Sequence, residues 1–326
     1  MGRRNWISVC GLALFLLVFP VVGLFSAVSH YLDIMVFVGI HSLITMGLCL
    51  LLGYAGQISL GHAAFYGIGA YASGILSVKC GLNPWLAIPV GMALAAAVAL
   101  VVGFPTMKLR GYYLAMATLG FGQIVFVVLN NWIALTEGPD GFGEIPRLSL
   151  FGLVFDNSLS YYYLVWAVVV VMLIFCLNII HSRVGRALLA IHDSELAARS
   201  LGVNAAWFKL QIFVLSAVMA SLAGSFYAHY VTYITPRVSD LFFSIKVVMM
   251  VVIGGMTSIW GAIVGAALLG FLPEWLIFLQ DFDVLAYGLI VLLIVMFFNQ
   301  GLVDLPGAIA RRLAAGRRSI SRVDHG

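Results

Sequence analysis

Lys246 stands inside an apolar run, Leu241 to Ile259, where an ammonium must find an acceptor, reach water along its own stem, or change its protonation. Its nearness to the start of that run keeps snorkelling open as an explanation. Gln57, Ser59, His62, Thr118 and Gln123 are also set among apolar residues, and each needs a partner or a wet cavity. Two readings stand side by side. These groups line a pathway for a polar solute, or Ser and Thr bond helix carbonyls while Gln and His tie helices together. No metal-ligand cluster or nucleophile-base spacing stands out. Cys10, Cys49, Cys80 and Cys176 lie in or beside apolar segments without CxxC spacing, which points to packing rather than to a metal site or disulfides.

A second concentration of chemistry lies between Arg183 and Lys209. Arg183, Arg186, His192, Asp193, Glu195 and Arg199 crowd a helix-prone stretch between two apolar segments. Such a surface lies outside lipid and meets water or a partner protein. Ala187 to Leu201 reads as one short amphipathic helix lying along the membrane, with Leu188, Leu189, Ile191, Leu196 and Leu201 on its less polar side. Glu195 and Arg199 form an i,i+4 pair in the favourable order, and Gly202 with Val203 and Asn204 supplies a stop. An interfacial helix without a partner would show the same properties.

The elements that position these groups follow from composition. Of 326 residues 63% are hydrophobic and 9% charged, far from the balance of a soluble domain of roughly 45–50% apolar and about 25% charged residues. The chain is expected to be all-α, a polytopic bundle of transmembrane helices. Apolar segments run from Trp6 to Val28, Ile34 to Leu52, His62 to Val78, Trp85 to Phe104, Tyr112 to Leu135, Tyr161 to Ile180, Phe208 to His229, Leu241 to Ile259, Ala262 to Leu279 and Val284 to Phe298. The first is read as a retained span rather than a cleaved signal. His62 to Val78 is short and glycine-rich and Leu241 to Ile259 carries Lys246, so either could be broken or re-entrant, giving eight to ten crossings. Residues 1–310 then form one membrane domain, with 183–209 as a polar interruption and 311–326 as a basic tail.

Ten crossings place both termini on one side, and charge tests that arrangement. Of the 17 basic residues, 13 fall in the loops and tails of the terminal side, among them Arg3, Lys108, Arg183, Lys209 and Arg311. Only Lys79, Arg147 and Arg237 fall opposite, which predicts cytoplasmic termini. The longest loop opposite, Thr136 to Ser160, is acidic through Glu137, Asp140, Glu144 and Asp156. It is either a partner-docking surface or a solvated connection. Glycines cluster at Gly53–Gly74 and again at Gly254–Gly270, two polar-interrupted regions of the kind that flank a central pathway in inverted-repeat transporters.

Several long blocks, in order, closely resemble the LivM-type permeases of bacterial ABC importers for branched-chain amino acids. They are LGYAGQISLGHAAFYGIGAY at Leu52 to Tyr71, LRGYYLAMATLGFGQI at Leu109 to Ile124, SRVGRALLAIHDSELAARSLGVN at Ser182 to Asn204, LAGSFYAHY at Leu222 to Tyr230 and VVIGGMTSIWGAIVGA at Val251 to Ala266. The resemblance implies that 183–209 is a cytoplasmic coupling helix, engaging an ATPase subunit through Arg186, Glu195, Ala197, Ala198 and Gly202. Ala197, Ala198 and Gly202 match the AA and G of an EAAxxxG pattern, whereas Leu196 stands where that pattern has Glu. The implied partners are a LivH-like second permease, two ABC ATPase subunits and a periplasmic solute-binding protein facing the acidic loop. ATP and Mg would be bound by the ATPases, because the chain has no GxxxxGK[ST] phosphate loop and no cofactor motif of its own. The expected activity is inward transport of leucine, isoleucine or valine by alternating access across the bacterial inner membrane, with no enzymatic chemistry and no nucleic acid involved. Urea or short-amide import is the alternative within the same class, and a self-contained secondary transporter is the alternative outside it.

Overall fold

The computed structural model describes residues 9, 11, 12, 16, 20, 29–106, 109, 111–150, 153–276 and 283–297. Apart from the isolated N-terminal positions, the expected span Trp6 to Val28 lies outside the described residues, as does the 311–326 tail. The rest is helical: α1 Ser29–Cys49, α2 His62–Val78, α3 Pro84–Thr106, α4 Tyr112–Asn131, α5 Ser158–His181, α6 Arg183–Asp193, α7 Glu195–Ser200, α8 Ala205–Val231, α9 Leu241–Gly254, α10 Ile259–Leu276 and α11 Asp283–Phe297. Among the described residues, six helices are long and apolar enough to cross a membrane: α1 with its terminal turn, α3, α4, α5, α8 and α10. The apolar pattern drew the end of α9 too far. The helix stops at Gly254, and Gly255 turns the chain at φ +119°, a conformation that penalises any side chain.

Contacts at the helix ends give each helix a direction. Asp33 near the start of α1 accepts hydrogen bonds from Ser158 Oγ of α5 and Tyr230 OH of α8, both at 2.5 Å. The far end of α1 runs into a π-helical turn, Leu50–Tyr54, and Tyr54 OH donates to Thr257 O between α9 and α10 at 2.8 Å. The end marked by Asp33 also holds the long loop, where Phe142 and Ile234 exchange backbone hydrogen bonds of 2.7 and 2.8 Å. A two-residue pairing, Ser149–Leu150 with Leu153–Val154, is the loop's other extended element. The end marked by Tyr54 holds α6 and α7.

An antiparallel repetition emerges from these directions. α1 runs from the loop end to the α6–α7 end, the chain turns back irregularly through residues 55–61, α2 begins at mid-depth and climbs to the loop end, and α3 descends. α8 runs the opposite way, the chain dips back through residues 232–240, α9 begins at mid-depth and descends, and α10 climbs. α2 and α9 are short for the same reason: each completes a crossing whose other part is irregular backbone. Such breaks occur at membrane depth only where protein or a cavity supplies hydrogen bonds. The doubtful pair of spans in the sequence, His62 to Val78 and the one carrying Lys246, are the two broken ones.

Small residues hold the centre together. α1 and α8 are its pillars, with 83% and 72% of their apolar windows buried against 28% for α4. A Cβ placed on Gly69 of α2 would lie 2.1 Å from Ser221 O of α8, so the two backbones touch, and Ser225 Oγ reaches back to Gly69 O at 3.0 Å. Close backbone approach of this kind replaces the hydrophobic drive that lipid does not provide. Gly69→Val should therefore lower the thermal midpoint of the detergent-purified protein, by an overpacking cost of about 1–3 kcal/mol. Gly120→Ala, on α4 with open space at its Cβ, should leave the midpoint unchanged or raise it slightly.

Candidate functional site

The two short helices point their N-termini at each other. Leu60 N donates to Thr118 Oγ1 of α4 at 3.0 Å, and Ala63 N in the first turn of α2 donates to Ser244 Oγ of α9 at 3.1 Å. His62 Nε2 lies 2.6 Å from Ser216 Oγ of α8, a fully buried pair. Thr118 Oγ1 in turn donates to Ala115 O at 3.0 Å. α9 carries its own cap, Asp240, whose carboxylate accepts from Leu241 N at 2.6 Å. The crossing is thus an arrangement of helix ends and small hydroxyls.

Ser59, His62 and Thr118 lie here, all buried; Gln57, also buried, lines the cavity beside α6 instead. Gln123 does not join them: it lies exposed on the outward face of α4 with Met116, Ile124 and Val127. Lys246 is half-buried on α9, two residues past Ser244, and within electrostatic reach of His41 on α1. It has no ion-pair partner among the described residues. Ser216 and Ser244 complete the crossing and were not singled out from the sequence. Isolated serines in apolar helices usually bond their own backbone, so nothing in their spacing sets these two apart.

The charged interruption is two helices rather than one. Ser182 Oγ accepts from Val184 N at 3.1 Å and caps α6, and Ser194 Oγ accepts from Ala197 N at 3.3 Å and caps α7. Ser194 is extended, at φ −158° and ψ 106°, so the stretch Ala187 to Leu201 breaks there. The reason is chemical: a serine following Asp193 competes for backbone amides better at a helix start than in a helix interior. Glu195 bonds Arg199 at 2.5 Å as expected, and also Lys209 of α8 at 2.9 Å, tying α7 to the next long helix. Gly202 sits at φ +83° in open space and ends the motif.

The faces also sort differently from the amphipathic reading. Leu188 and Ile191 are buried, and Ala198 packs with Ile191 and Ala205. Leu196 and Leu201 instead are 73% and 83% exposed, with Ala197 and Arg186 also on the outside. The exposed surface is therefore an apolar tip rimmed by charge, a composition suited to meeting a protein.

One contact joins this surface to the broken helix. A Cβ on Gly56, where φ is +64°, would lie 2.8 Å from His192 Cδ2, so the imidazole of α6 rests directly on the irregular backbone after α1. A cavity of about 220 Å³ beside it is lined by Gln57, Gly111, His192, Glu195 and Lys209 among others. Gly56 lies six residues before His62 in the chain.

Antiparallel halves, mid-depth helix ends and an exposed polar segment at one face define a multi-pass membrane permease. Residues 30–299 match the family described as branched-chain amino acid transport system / permease component, and the chain belongs to that family. It is 33% identical over 313 residues to the high-affinity branched-chain amino acid transport system permease protein LivM of Escherichia coli, a match covering 89% of this chain and 74% of that protein. It is 25% identical over 279 residues to the high-affinity branched-chain amino acid transport system permease protein LivH of Escherichia coli, covering 78% of this chain and 89% of LivH. The ribose import permease protein RbsC of Escherichia coli is 24% identical over 288 residues, 85% of this chain and 87% of RbsC. No solved structure matches the chain.

If Thr118 Oγ1 holds the 55–61 segment, Thr118→Val should loosen it without changing side-chain shape. Losing one net hydrogen bond of about 1 kcal/mol raises local opening roughly fivefold. A cysteine introduced by Ser59→Cys should then react with a small thiol reagent several times faster in the Thr118→Val background. Equal rates would show that the segment is held elsewhere.

Proposed function

We propose that this chain is one permease subunit of an ATP-driven importer for branched-chain amino acids in the bacterial inner membrane, paired with a LivH-like permease. The family match and the names of its relatives support the solute class, and the reading of a driven permease rests on the apolar-tipped α6–α7 surface seated through His192 on the broken helix. One of two ABC ATPase subunits, which together bind ATP and Mg, docks on that surface, and a periplasmic solute-binding protein docks on the opposite loop, where Glu137, Asp140 and Glu144 are exposed. The α6–α7 end and both termini are cytoplasmic, in keeping with the basic residues gathered there.

The mechanism is alternating access. When bound nucleotide closes the ATPases, α6 and α7 move as a unit fixed to α8 by Glu195 and Lys209. His192 pushes on Gly56, the 55–61 segment shifts, and the hydroxyl contacts of Leu60 N and Ala63 N exchange for solute or water. α2 and α9 can then part toward one side or the other without leaving backbone groups unpaired.

Gly202→Trp should leave insertion largely intact, since no neighbour lies near position 202, although the φ of +83° there puts local strain on any side chain. Uptake of leucine by vesicles containing the whole importer should nevertheless fall about tenfold or more, a loss of about 1.4 kcal/mol or more in productive coupling. Crosslinking between residue 202 and the ATPase should fall with it. Normal coupled uptake would demote α6–α7 to an interfacial helix.

Orientation and energy source have separate tests. With native cysteines replaced, a cysteine at Asp140 should be labelled in intact cells by an impermeant reagent and one at Asn204 should not. Leucine uptake should require the binding protein and hydrolysable ATP and be competed by valine but not by urea. Gradient-driven uptake by this chain alone would reject the importer.

A further inference from the structure

A cavity of about 250 Å³ lies where the antiparallel halves meet, on the loop side of the helix-end crossing. Four rings wall it, one from each central element: Phe37 of α1, Tyr66 of α2, Tyr227 of α8 and Phe243 of α9. They form a continuous series, with centroids 6.1 Å apart for Phe37 and Tyr227, 5.7 Å for Tyr227 and Tyr66, and 4.8 Å for Tyr66 and Phe243. Arg237, from the chain dipping toward α9, lines it as an exposed residue. His41 closes another side, its ring 5.7 Å from Phe243 and its buried Nδ1 without a hydrogen-bond partner.

The charge of this cavity is one-sided. No Asp or Glu lines it, Arg237 has no ion-pair partner among the described residues, and Lys246 lies within electrostatic reach of His41. A space with apolar walls and an uncommitted guanidinium suits a small molecule with an anionic head and an apolar body. The volume falls a little below the roughly 300–1,000 Å³ of drug-sized ligand pockets, so the occupant is small. Substrate sites of inverted-repeat transporters lie near mid-depth between the repeats, beside discontinuous helices, and this cavity has that position.

We propose that it is a transit site for an amino acid with an apolar side chain. The α-carboxylate pairs with the Arg237 guanidinium, the side chain lies against Phe37, Tyr66, Tyr227 and Phe243, and the ammonium rests over a ring face by cation–π attraction. His41 Nδ1 offers one further polar contact. The assignment rests on the importer reading above and adds to it the residues that hold the solute.

Vesicles containing the complete importer, with its binding protein, test it through three readings on one preparation. Arg237→Gln, at an exposed position that tolerates the change, should cut ATP-driven leucine uptake about tenfold, and Arg237→Lys should recover part of it. Stimulation of ATP hydrolysis by the binding protein should be unchanged in both variants. A diazirine analogue of leucine, photolysed during turnover, should label peptides carrying Phe37, Tyr66, Tyr227 or Phe243, and the label should fade in Arg237→Gln. Full uptake by Arg237→Gln, or labelling confined to other peptides, overturns the site while leaving the importer intact. Loss of uptake together with loss of ATPase stimulation assigns Arg237 to docking and also overturns it. Wild-type vesicles that carry no leucine under any condition remove the importer reading, and the amino-acid site falls with it.

Discussion

Every backbone amide at membrane depth must have an acceptor, and the rest of this architecture follows from how two interrupted crossings meet that demand. Residues 55–61 and 232–240 leave the helical ladder where no lipid group can replace it. Leu60 N and Ala63 N are satisfied by Thr118 and Ser244, side chains from α4 and α9. Residues 232–240 are tied instead to the long loop, by Ile145 N to Thr232 O at 3.2 Å and the Phe142–Ile234 pair, and turn through a 3-10 segment at Pro236–Ser239. The close packing of α2 on α8 at Gly69 serves the same end, because hydroxyls this short reach across only when backbones nearly touch.

Because these contacts are single hydrogen bonds from small hydroxyls, the centre is well determined yet inexpensive to rearrange. Each is worth about 1 kcal/mol net, far less than the apolar packing around it. The α6–α7 surface is built otherwise: charge-assisted contacts at Glu195 fasten α7 to α8. A firmly tied surface resting through His192 on a loosely pinned segment is the arrangement that the proposed coupling asks for.

Much of this was legible in the residues. Apolar runs located the spans to within a few positions, and glycine density with Lys246 singled out the two broken ones. Ser59, His62 and Thr118 lie together at the start of α2, whereas Gln57 is buried beside α6. Gln123 stands apart from them on the exposed face of α4, because helical position within a largely uncovered helix does not reveal which side a neighbour occupies. The break at Ser194 and the exposure of Leu196 and Leu201 were hidden for a related reason. Periodicity describes a helix that continues, and a serine cap resets the face on which every later residue lies. The aromatic walls around Arg237 depend on four elements far apart in sequence, so no local pattern could announce them.

The two helix ends that meet at mid-depth are not dressed alike. α9 carries a carboxylate at its start, Asp240, bonded to its first amide, whereas α2 begins after Gly61 with no side-chain cap of its own and borrows Ser244 from its counterpart. On a frame whose halves are related by inversion, identical decoration would make the two directions of opening mirror images of equal free energy. Unequal caps remove that degeneracy. An anion at one helix start and none at the other differs by about 0.5–2 kcal/mol, enough to tilt a two-state population severalfold. The two starts therefore contribute unequally to whichever arrangement keeps their amides paired.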